Sequence, residues 1–99
     1  MSGADPRSRR IALVADDLFQ GGETIVRLEA AGWGLVQLPP ADLSSAALEA
    51  ALGLALDQAE DYARHGHRLA LCLTPASESL RAVVLAACRR RGMASPESL

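Results

Sequence analysis

The chain has 99 residues, of which 49 % are hydrophobic, and a formal net charge of −2; Phe19, Trp33 and Tyr62 are its only aromatics. That length is one domain's worth, and the slight negative charge argues against nucleic acid, whose phosphates need a basic surface. All ten basic residues are arginine, which excludes a P-loop, a Schiff-base enzyme and any other chemistry that needs a lysine ammonium.

A core short of aromatics has to be built from Leu, Val, Ile and much Ala, which favours helices packed on a sheet over a sandwich or barrel. No apolar stretch approaches the ~20 residues of a membrane span. Residues 1–10 lack the apolar segment of a signal peptide. A soluble, cytoplasmic protein without membrane contact is expected. Cys72 and Cys88 lie inside apolar runs with no C-x-x-C spacing, the pattern of buried free thiols.

Taken in chain order, residues 1–8 read as a frayed polar tail. A strand over 10–15 follows, apolar from Ile11 to Ala15, as in a strand buried on both faces of a parallel sheet. It stops at Asp16-Asp17, and a loop over 16–22 leads into a helix of about three turns. Ile25, Leu28 and Ala31 share one face of that helix, and Gly32 ends it. Leu35-Val36-Gln37-Leu38 is a second strand, stopped by Pro39-Pro40.

Asp42, Ser44 and Ser45 offer alternative N-caps for a long helix that reaches about residue 65. Its apolar stripe is Leu48, Ala51, Leu52, Ala55, Ala59 and Tyr62, with Glu49, Asp57, Gln58, Glu60 and Asp61 opposite. After Gly66, residues 69–73 form a third strand, apolar at every position. Thr74-Pro75-Ala76-Ser77 turns into a last helix over 78–91, with Ser77 as N-cap. Arg89, Arg90 and Arg91 suit its carboxyl end, Gly92 caps it, and 93–99 read as a second frayed tail.

The order β-α-β-α-β-α means parallel pairing through right-handed crossovers. The long middle helix can cross the sheet, so the expected architecture is a single three-layer α/β domain over 1–99. It has three parallel strands in the order 2-1-3, with helices on both faces.

In such a sheet the carboxyl ends of strands one and three open a crevice. Asp16, Asp17, Gly21, Gly22 and Thr24 line one side of it; Thr74, Ser77 and Ser79 line the other. Paired carboxylates hold Mg²⁺ through hard oxygen ligands. Glycines before a helix let backbone N–H groups approach an anion. The crevice therefore reads as a metal-assisted phosphate site, with Asp16 and Asp17 as metal ligands and the other six residues binding the ligand. The alternative is that Asp17 caps a loop, Asp16 is solvated and the glycines only turn the chain. His65 and His67 make a poor metal site on their own. Tyr62 and Trp33 belong to the core.

The segment from Ile11 to Gln37 resembles the opening of a response-regulator receiver domain. The first strand with its acidic pair matches that family's first strand, and Ala31-Gly32-Trp33-Gly34-Leu35-Val36 matches its helix-to-strand turn. The resemblance implies a doubly wound α/β domain, flavodoxin-like but truncated, with Asp16 and Asp17 as Mg²⁺ ligands. Where the family carries its phosphoacceptor this chain has Leu71 and Cys72, and the family's lysine has no counterpart. Ala15-Asp16-Asp17-Leu18 followed by glycine is equally similar to the opening of four-carbon acid sugar kinases.

The expected function is a non-catalytic protein-interaction or regulatory module, receiver-like without a phosphoacceptor. A catalyst would need a tuned acid, base or nucleophile. The alternative is a small Mg²⁺-dependent enzyme or accessory subunit acting on a phosphorylated or anionic ligand at the crevice. A homodimer is also expected, through strand 69–73, helix 78–91 or both. The strand is an edge without protecting charges or prolines. Leu85 and Cys88 lie off the helix stripe of Leu80, Val83, Val84 and Ala87. Return of 93–99 over that edge is the alternative.

Overall fold

β1 (Arg10–Val14) is the central strand because nothing from Ile11 to Val14 objects to burial; these four residues are each at most 1 % exposed. β2 (Gly34–Gln37) and β3 (Arg68–Cys72) pair with it in parallel on either side, so that Leu13 lies level with Val36 and Leu71. The computed structural model describes residues 10–99, so the expected tail at 1–8 falls outside the described residues.

The sheet has four parallel strands rather than three, in the order β2-β1-β3-β4. β4 (Glu97–Ser98) pairs beside Ala70 and Leu71 of β3. The segment expected to fray is held at several points. The Leu99 N–H donates to the Leu71 carbonyl at 3.1 Å, Arg68 pairs with Glu97 at 2.9 Å, and Arg81 donates to the Ser98 hydroxyl at 2.8 Å. A strand edge offers a row of unpaired backbone groups, and these residues satisfy part of it. The edge on which the expected strand-mediated dimerisation rested is therefore paired in part by the chain itself.

Two helices stand where a loop and one helix were expected: α1 (Asp16–Gly21) and α2 (Glu23–Ala30). Gly22, at φ 80°, separates them. Its left-handed conformation, cheap only for glycine, ends α1, while its carbonyl accepts from the Val26 N–H at 3.0 Å and starts α2.

α3 (Ser45–Arg64) is capped by Ser44, whose hydroxyl accepts from the Ala47 N–H. It buries Leu52, Ala55, Leu56 and Ala59. Tyr62, placed in the stripe by its spacing, is 38 % exposed instead, with its ring 5.5 Å from that of His67.

The last helix begins later than expected. Thr74, not Ser77, caps a single 3₁₀ turn over Pro75–Ser77, and α4 spans Leu80–Arg90. Its buried face is Leu80, Val84, Ala87 and Cys88. Cys88 thus belongs to the core and Val83 lies outside it, a rotation of the expected stripe by about one position.

Right-handed crossovers in this strand order put α3 and α4 on one face and α1 with α2 on the other. One continuous cluster joins Ile11, Leu13, Val36, Leu38 and Leu71 of the sheet to the buried faces of α3 and α4. The alternate residues Ala12, Val14 and Ala70 are equally buried toward the α1–α2 side. Among the described residues, no helix is long and apolar enough to cross a membrane.

Candidate functional site

Asp16 and Asp17 leave β1 and become the first two residues of α1, where the positive end of the helix favours carboxylates. Each is tied to a neighbouring strand. Gln37, the last residue of β2, donates from Nε2 to Asp16 Oδ1 at 2.7 Å. Thr74, two residues beyond β3, donates its hydroxyl to Asp17 Oδ2. Parallel register makes this possible, since Val14 lies level with both Gln37 and Cys72.

Thr74 is itself held in place. Its N–H donates to Ser77 Oγ at 2.9 Å, the Ser77 N–H donates back to Thr74 Oγ1 at 3.2 Å, and the two hydroxyls stand 3.0 Å apart. This is a reciprocal capping box, and Ser77 is only 4 % exposed. One atom stays out of the network: Asp17 Oδ1 is buried without a hydrogen-bond partner.

Beside these groups lies a cleft of about 270 Å³, walled by Asp16, Asp17 and Gln20, by the turn over 39–42, and by Ala76 and Ser77. The predicted residues divide accordingly. Asp16, Asp17 and Ser77 line the cleft, and Thr74 supports it through Asp17.

Gly21, Gly22 and Thr24 do not line it, because residues 16–21 are helical and carry the glycines along α1, ~9 Å at 1.5 Å per residue. Ser79 is exposed at the start of α4, makes no capping bond and is also outside the lining. The second wall comes from the end of β2 instead, through Pro39, Pro40 and Asp42. Gln37 and Gln20 were missed. The signal for Gln37 was a polar residue closing an apolar strand that must neighbour β1.

Asp16 and Asp17 are the adjacent carboxylates of the cleft, and Asp42 stands on its β2-side wall. Among the described residues, no three His, Cys, Asp or Glu side chains come together as metal ligands. Asp16 and Asp17 each spend one oxygen on an intrachain hydrogen bond. The pair alone does not complete a cation site, though Mg²⁺ binds through few protein ligands and several waters.

The remaining reactive side chains lie elsewhere. His65 Nδ1 is 2.8 Å from the Asp61 carbonyl, and His67 precedes β3 at the opposite end of the sheet. Burial pushes the Cys72 thiol up, and it does the same to Cys88 against a smaller opposing effect of Arg91. Neither is poised as a thiolate. Arg10 stacks over the Trp33 ring at 4.6 Å, which accounts for that aromatic as surface packing. Compared with known proteins, the chain matches no family model, and no curated protein or solved structure matches it significantly.

Proposed function

We propose that this chain is a non-catalytic α/β interaction or regulatory module, receiver-like without a phosphoacceptor, in which the acidic pair fastens the sheet instead of reacting. The observation that carries this reading is the commitment of both carboxylates to side chains on the neighbouring strands, Asp16 to Gln37 and Asp17 to Thr74. These bonds join β1 to both neighbours at the carboxyl end of the sheet. At the end of β3, where a receiver places its phosphoacceptor, Leu71 is buried and Cys72 carries a thiol raised by burial.

One observation favours a second reading, a Mg²⁺-dependent enzyme or accessory subunit with Asp16 and Asp17 as ligands and an anionic ligand in the cleft. Asp17 Oδ1 is buried without a partner beside that cleft, and such an orphan normally has an explanation. A Mg²⁺ titration followed by amide NMR shifts separates the two. The structural reading expects no saturable shifts at Asp16, Asp17 or Thr74 and an unchanged melting temperature. Saturable shifts at those amides, with a melting temperature that rises with Mg²⁺, would overturn it.

A further inference from the structure

The segment after α4 covers part of the outer side of β3 while burying little of itself. Met93 still belongs to the body of the domain: its N–H donates to the Cys88 carbonyl at 2.9 Å, and its side chain packs against the core cluster. Beyond it only Pro96 is buried; Ala94, Ser95, Glu97, Ser98 and Leu99 are exposed. Glu97 and Ser98 pair with Ala70 and Leu71, and the Leu99 N–H donates to the Leu71 carbonyl. Two arginines supply the remaining contacts. Arg68 meets Glu97 at 2.9 Å with both side chains largely in solvent, and Arg81 donates to the Ser98 hydroxyl at 2.8 Å.

Three features make this closure easy to undo. The segment does not pack tightly on the body: a cavity of about 250 Å³ is lined by its Ala94, Ser95 and Glu97 together with His67, Arg68 and Leu69. His67, in the wall of that cavity, keeps Nδ1 buried with no hydrogen-bond partner, a cost that water relieves once the segment lifts. Arg81 also pairs with Glu78 at 2.5 Å, so it keeps a carboxylate partner when Ser98 leaves. A region with few buried apolar contacts and exposed hydrogen bonds opens at less than the free energy of global unfolding.

We propose that residues 94–99 are a strap that lifts from β3 as one unit, hinged after Met93, while the rest of the domain stays folded, and that the Arg68–Glu97 pair sets how often it is open. Lifting bares the backbone edge at Ala70 and Leu71 and frees the Arg68 guanidinium beside it. The strap is a device by which this fold hides or exposes a sheet edge. It holds whether or not the acidic cleft binds a ligand.

Amide relaxation dispersion and native-state hydrogen exchange on the full chain test it. The amides of Ala94, Ser95, Glu97, Ser98 and Leu99 are expected to fit one exchange rate and one open population. The Leu99 amide should be protected roughly a hundredfold less than that of Ala15, which donates to the Cys72 carbonyl at 2.9 Å. Arg68→Glu should raise the open population about threefold, as expected for an exposed ion pair, and lower the Leu99 protection to match. Adding Glu97→Arg should restore both, with Ala15 unchanged throughout. Equal protection of Leu99 and Ala15 would overturn the proposal, since the segment would then open only with the whole domain. Exchange that is absent, or whose rate differs from residue to residue, would overturn it by reducing the motion to fraying. So would an Arg68→Glu variant without effect, or a double variant that fails to restore closure.

Discussion

Replacing Thr74 with valine keeps the side chain's shape and deletes a hydroxyl that donates to Asp17, accepts from the Ser77 N–H and contacts the Ser77 hydroxyl. A hydrogen bond to a charged group contributes about 1.5–3 kcal/mol, and a capping hydroxyl about 1 kcal/mol. The network is half-buried, so the low end applies, and the expected loss is about 2–3 kcal/mol. For a domain of this size that is roughly 10–20 °C in melting temperature.

Asp17→Ala should cost less, about 1 kcal/mol, because it forfeits the same bond and the helix-end interaction but also removes the orphaned Oδ1. The double variant then isolates the coupling, expected at about 1–1.5 kcal/mol. Urea unfolding followed by circular dichroism at neutral pH measures all three. A loss below about 0.5 kcal/mol for Thr74→Val, or a coupling indistinguishable from zero, would refute the reasoning. The contact would then be incidental to stability, and the carboxylate would be free for other work.

Two further expectations follow from burial. Leu56, 1 % exposed, and Leu54, 70 % exposed, sit two residues apart on α3; Leu56→Ala should cost about 3 kcal/mol and Leu54→Ala less than about 0.5 kcal/mol, and equal melting temperatures for the two would contradict the orientation of the helix. Cys88, fully buried in the core cluster, should resist thiol labelling in the native protein and react on unfolding; because burial raises its folded pKa, the stability it contributes is complete below the unfolded thiol value of ~8.5 and is lost as pH rises through the folded one. Rapid native labelling, or a stability equally alkaline-sensitive in Cys88→Ala, would count against this.

How far the chain could be read in advance depends on how local each signal is. The burial of β1 is written in consecutive residues, Ile11 to Val14, and Pro39-Pro40 and Ser44 mark their boundaries by chemistry that acts within a turn. Alternation of strands and helices implied parallel pairing with β1 in the centre, and the length of α3 implied the order β2-β1-β3. Gly21-Gly22 misled because glycine signals a break without saying whether loop or helix precedes it. Here α1 fills the space, and its six residues carry the glycines outside the lining of the cleft. The α4 stripe was misjudged because Val83 and Val84 both fit a helical period, and only the position of the helix on the sheet selects Val84 with Cys88.

The sequence by itself therefore determined the class of fold, the central strand and the end of the sheet at which the acidic pair lies, since hydrophobic periodicity and chain stops are properties of short windows. Only the tertiary structure decided what surrounds that pair. Asp17 meets Thr74 across 57 residues and Asp16 meets Gln37 across 21, and no local pattern carries such pairings. β4 belongs to the same class: a two-residue strand has no period to read, and it forms because β3 presents an edge whose backbone groups need partners.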